Sequence, residues 1–147
     1  MSHTAKIAGI TISNIDALRA AVEELNESGI KCKLLDDVKP RAFYENQPGM
    51  GKADHVLQLE NSRYDIGFYH QPDGTYEVRT DFWGNDIEKN LGVRATDPTK
   101  VDQARLGKLF QTYGLCAATM EATQRGYSVR RVEGENGRKQ LIVTGFA

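Results

Sequence analysis

The sequence predicts an α+β fold, a mostly antiparallel sheet with two or three helices packed on one face. Three observations predict it. Strand-like runs are grouped rather than alternating one by one with helices. A turn, Gln71-Pro72-Asp73-Gly74-Thr75, separates two runs of alternating polarity. An amphipathic segment precedes that pair, and an alanine-rich helical segment follows it.

The elements follow in order. Lys6–Ile12 is short and rich in isoleucine, which predicts a strand, with Gly9 marking a bulge. Ser13 is the expected N-cap of a helix, and Asp16 completes a box-like start. Ile15, Leu18, Val22 and Leu25 then recur at three- and four-residue spacing, one apolar stripe that ends at Gly29. A second strand is expected over Ile30–Leu35. Asp36–Asp54 is irregular and holds Pro40, Pro48, Gly49 and Gly51, with Phe43 and Tyr44 between them. A long loop of this kind is often functional.

His55–Glu60 resumes strand character. The strands Tyr64–His70 and Tyr76–Phe82 then flank the turn, and Pro-Asp-Gly suits a type I turn closed by a left-handed glycine. This register sets His70 against Tyr76, Phe68 against Val78, Ile66 against Thr80 and Asp65 against Asp81. Ile66, Phe68, His70, Tyr76, Val78, Thr80 and Phe82 then face the core, while Asp65, Gly67, Tyr69, Glu77, Arg79 and Asp81 form the polar face. Ile87–Thr96 reads as a loop. Asp97-Pro98 is a helix start, and the helix runs past Gly114, a point of kinking, to Gly126. Tyr127–Glu133 and Gln140–Phe146 form a closing hairpin.

At 147 residues the chain has the size of one domain, 1–147, able to bury a core without disulfide or metal. A 39% hydrophobic and 27% charged content is globular rather than disordered. A net charge of −1 argues against a general nucleic-acid binder. No run approaches a membrane span. Cys32 and Cys116 are far apart, and no secretory leader is evident, so both read as reduced thiols of a cytoplasmic protein.

Chemistry has few footholds. Asp65 opposite Asp81 would be repulsive without a compensating cation, and Arg79 and Arg63 are the nearest in sequence. Two carboxylates on one face could hold Mg²⁺ or work as an acid–base pair. No other feature suggests a cofactor. His3, His55 and His70 are too widely spaced for a zinc motif, and His70 is expected to be structural. Gly49-Met50-Gly51-Lys52 lacks phosphate-loop spacing. Arg130, Arg131, Arg138 and Lys139, with Arg125 and Tyr127, make a basic terminal hairpin that could track a nucleic-acid backbone, although Glu133 and Glu135 dilute it.

Several pieces align with a known pattern. Met1-Ser2-His3 opens the chain, and Tyr64-Asp65-Ile66-Gly67-Phe68, Tyr76-Glu77 and Asp81-Phe82-Trp83-Gly84 build the central hairpin. Gln111-x-Tyr113 and Gly126 sit in the late helix. Over nearly its whole length the chain resembles the hypothetical chloroplast open reading frame 35 family, a domain of unknown function in cyanobacteria, plastids, other bacteria and phages. Two places depart from the pattern. Pro40-Arg41-Ala42-Phe43-Tyr44 stands where members carry an Arg-Gly-Tyr segment, and Asn85–Thr99 is longer. The resemblance implies no reaction, cofactor or catalytic residue. It implies an accessory role beside an AAA-type ATPase, in the cytoplasm, the plastid stroma or a phage host.

Three functions are therefore expected in descending order. The first is an adaptor that binds another macromolecule, with a protein as the expected partner, through the Arg41–Lys52 loop, with Arg41, Phe43 and Tyr44, and the sheet surface. The second is a small-molecule or nucleotide site, or an enzyme, on the face carrying Asp65, Arg79 and Asp81. The third is nucleic-acid binding by the terminal hairpin.

Overall fold

A computed structural model of the chain describes residues 4–6, 11–42, 51–81, 86–91, 106–133 and 139–145. It is an α+β fold. Strands β1 (Thr4–Lys6), β2 (Cys32–Val38), β3 (Ala53–Leu59), β4 (Asp65–His70) and β5 (Tyr76–Asp81) form one antiparallel sheet in the order β1-β5-β4-β3-β2. Helices α1 (Ile15–Glu27) and α3 (Gly107–Gln124) supply most of the helical part of the core, and α2 (Asp86–Asn90) is a short turn of helix. Strands β6 (Ser128–Glu133) and β7 (Lys139–Thr144) form a separate antiparallel ribbon.

The central hairpin has the expected register, with His70 opposite Tyr76, Phe68 opposite Val78 and Ile66 opposite Thr80. Gly74 takes φ +88 and donates its N–H to Gln71 O at 3.0 Å, while Asp73 Oδ1 accepts from the Thr75 N–H and hydroxyl. Those two bonds hold the Asp73 carboxyl below its usual range. The even side chains Ile66 and Phe68 are fully buried, as period-two alternation requires.

Helix α1 buries Ala17, Leu18, Ala21, Val22 and Leu25, the predicted stripe with alanines beside it. Its N-cap is Asn14, not Ser13. Asn14 Oδ1 accepts the Ala17 N–H at 3.1 Å, and the Ser13 and Asn14 N–H groups both donate to the Tyr113 hydroxyl at 3.0 and 3.1 Å. Thus the start of α1 is fixed by a side chain of α3 a hundred residues away, a contact no local motif encodes. Gly29 takes φ +99 just past the helix and lets the chain turn back into β2.

Other boundaries moved. β2 begins two residues later than expected and runs on to Val38, since its pairing with β3 continues from Cys32↔Leu59 to Val38↔Ala53. Of the expected first strand, Lys6 ends β1 and Ile12 makes an isolated bridge to Tyr76, with 7–10 outside the described residues. Asp86–Asn90, read as the exit of the sheet and the start of a loop, is helical because Ile87 and the following Leu91 are fully buried against the core. The Asp97-Pro98 start lies outside the described residues. Helix α3 passes through Gly114 unbroken and ends before Gly126, at φ +85. No helix among the described residues is long and apolar enough to cross a membrane.

Replacing Tyr113 with Phe keeps the ring and removes the shared acceptor of two backbone donors. We expect a loss of about 1–3 kcal/mol in urea unfolding. An unchanged midpoint would show that the hydroxyl does not secure α1.

Candidate functional site

The sheet has two faces, and the helices cover one. On the other, the cross-strand row Lys33–Gln58–Asp65 runs over β2, β3 and β4, beside the row Leu35–Val56–Gly67–Arg79. Asp65 was expected to face water. It is 2% exposed instead. Its carboxylate accepts the Arg41 N–H at 2.8 Å, Arg41 Nε at 3.0 Å and Arg41 Nη2 at 2.8 Å. In return the Asp65 N–H donates to Arg41 O at 3.0 Å, and Arg41 Nη2 also reaches Ser62 O at 3.0 Å. The cation that answers Asp65 is therefore Arg41, from the segment after β2, rather than Arg79 or Arg63.

The pairing covers the face. Pro40 is buried, and a Cβ placed on Gly67 would lie 2.9 Å from Pro40 Cγ and 2.8 Å from Tyr69 Cε2. Only glycine lets the covering segment come this close. Val56, opposite Gly67, is buried although it does not belong to the helix-side core. Arg79 stacks over the Tyr69 ring at 4.4 Å and bonds Glu77 at 2.6 Å. The Tyr69 hydroxyl donates to Gly51 O at 2.9 Å, and burial pushes its pKa up. The odd-numbered positions are thus a second packed layer, and the picture of an open polar face is corrected. Asp65, closed off by Arg41, is not presented to Mg²⁺ or to a substrate. Asp81 ends β5 opposite Thr4, and its carboxylate lies outside the described side chains. Among the described residues, no group of three or more His, Cys, Asp or Glu could hold a metal ion.

Beside this layer the surface is concave. A cleft of about 480 Å³ lies among Lys31, Lys33, Arg41 and Gln58, and one of about 450 Å³ lies between Lys31 and Lys89. Both are lined by Lys31, Leu59 and Glu60, so they adjoin. Both are of ordinary ligand-site size. The Asn26 side chain closes one end of this edge, bonding Cys32 O at 2.8 Å and the Cys32 N–H at 3.0 Å.

Phe43, Tyr44 and Arg138 lie outside the described residues, as does the side chain of Lys139. The basic hairpin is partly neutralised. Arg131 pairs with Glu24 of α1, and Arg125 bonds Glu121 at 3.1 Å; Arg130 is exposed. The Arg131–Glu24 pair also encloses Cys116, whose thiol donates to Glu24 Oε2 at 3.2 Å. Burial first, then Glu24, pushes that thiol up to about 11; burial alone does the same to Cys32. Both thiols are free and protonated at neutral pH.

Sequence reasoning missed one polar group on the helix side of the sheet. His55 Nδ1 lies 2.7 Å from Asp36 Oδ1, Arg19 reaches the same carboxylate at 3.3 Å, and the Tyr76 ring stands 5.4 Å from His55. The His55 bond is the main reason the Asp36 carboxyl sits below its usual range. His70, expected on the core face, is instead exposed at the strand end beside Tyr76. The register Asp36↔His55 carries this pairing, but it needs the late end of β2 to be visible.

No family model, curated protein or solved structure matches the chain.

Removing Arg41 leaves a buried carboxylate without its cation. Arg41→Ala is expected to destabilise the fold by about 3–5 kcal/mol, and Arg41→Ala in an Asp65→Asn background by clearly less. Additive losses in this double-mutant cycle would show that the two side chains act independently.

Proposed function

We propose that the chain is a protein-binding module and that the ribbon β6–β7 is its docking arm. One observation carries this reading. The large hydrophobic side chains exposed among the described residues are Tyr127, Ile142 and Val143, at 41%, 39% and 50%, all in or beside this ribbon. A two-stranded ribbon is marginal in water by itself. Apolar side chains left on such an element gain most when a partner covers them.

The chemistry of the partner follows from the neighbours. Ile142 is directly opposite the exposed Arg130. A partner with an apolar centre and an acidic rim fits this pair. The internal pairing of Arg131 and Arg125 weakens the basic field that nucleic-acid binding would use. The family resemblance supplies a first partner to assay, an AAA-type ATPase from the same genome.

Binding to that ATPase, and capture from native lysate, should both be weakened at least about tenfold by Ile142→Glu with Val143→Glu. A deletion of 43–50 should leave them unchanged. If the deletion abolishes binding and the double variant does not, the segment that includes Phe43 and Tyr44 is the docking element and the assignment to the ribbon is wrong.

A further inference from the structure

We propose that the paired clefts beside β2 bind an oligophosphate group, free or esterified. Four cations line them: Arg41 and Lys33 in one, Lys89 in the other, and Lys31 in both. Among the described residues, Glu60 is the one carboxylate in either lining. Asp65 offsets a second charge, because its buried carboxylate is bonded to the Arg41 guanidinium. Four cations less Glu60 and Asp65 leave a local excess of two positive charges among the described residues, on a chain whose net charge is −1. Concave walls concentrate such a field.

The fold holds these groups in place. Lys33 lies in β2 and Lys31 just before it; both are exposed, and Lys31 lines both clefts. Lys31 O accepts the Glu60 N–H at 3.0 Å, which fixes the backbone that carries the lysine. Arg41 is anchored along one edge by Asp65 and Ser62 O, yet 45% of its side chain is exposed. A guanidinium held this way is already oriented and loses little freedom when it meets an anion. Amide groups from Gln58 in one cleft and from Asn61 and Asn90 in the other add neutral polar lining.

The lining also indicates which anion. It contains no aromatic residue among the described ones, so it offers no platform for stacked bases. Several cations spread over two adjoining clefts suit a chain of phosphates better than a single carboxylate. This site is separate from the ribbon β6–β7 and does not depend on the docking role proposed for it.

The test is titration calorimetry of the full chain with inorganic tripolyphosphate and, in parallel, ATP without divalent metal, at matched ionic strength. Saturable binding of tripolyphosphate is expected, weakened about tenfold or more by Lys31→Glu with Lys33→Glu. Lys89→Glu, on a different element, should weaken it as well, and Arg130→Glu on the ribbon should not. Equal affinity for ATP would mean that the phosphate chain alone is read, and tighter ATP binding that the ester portion adds contacts. Circular dichroism checks that the exposed lysine variants remain folded. No saturable binding, or equal loss in the Arg130→Glu control, would overturn the proposal.

Discussion

A carboxylate inside a sheet needs a cation within hydrogen-bonding reach, and Asp65 finds it in Arg41. The rest of the second face follows from this pairing. Through both side chain and main chain, Arg41 ties the segment after β2 down onto β4. Pro40 is then pressed onto Gly67, and Val56 loses contact with water. The sheet therefore packs on both sides, with helices on one and an ordered stretch of chain on the other. Antiparallel sheets commonly leave one face wet. Here an ion pair with one partner buried closes part of it.

The same pair shapes what the surface offers. Because Asp65 is covered, it cannot serve as an exposed acid, base or metal ligand. Because Arg41 is held along one edge of its guanidinium and is half-exposed, it presents the other edge at the rim of a groove with Lys31 and Lys33. The groove lies at the β2–β3 end of the sheet. The exposed apolar side chains lie elsewhere, with Ile142 and Val143 on the two faces of the terminal ribbon. A polar, ligand-sized groove and an apolar arm suit different partners, so the two proposals can be tested apart.

Much of the fold was legible in the sequence for local reasons. Pro72-Asp73-Gly74 sets a turn whose geometry dictates the register of β4 and β5, and the stripe of α1 needs only helical spacing. What could not be read arises between distant residues. Alternation placed Asp65 on the side away from the helices, which is correct, but alternation cannot say what covers that side. The covering group comes from 24 positions upstream, in a stretch whose prolines and glycines signal only a loop. The Asn14 cap and the Tyr113 hydroxyl, and the pairing of His55 with Asp36, are likewise tertiary contacts. Ile87 and Leu91 were too short a pattern to reveal α2. Arg41 and Asp65 were each singled out, but for separate roles.

The most direct test is native-state hydrogen exchange at two amides. The Arg41 N–H donates to the Asp65 carboxylate and the Asp65 N–H donates to Arg41 O, so each is closed only while the covering segment stays down. Exchange at both should be as slow as at the amides of the β3–β4 ladder, opening only with the sheet. Exchange at the rate of an open loop would mean that the segment does not hold the face, and that Asp65 is not secured by Arg41.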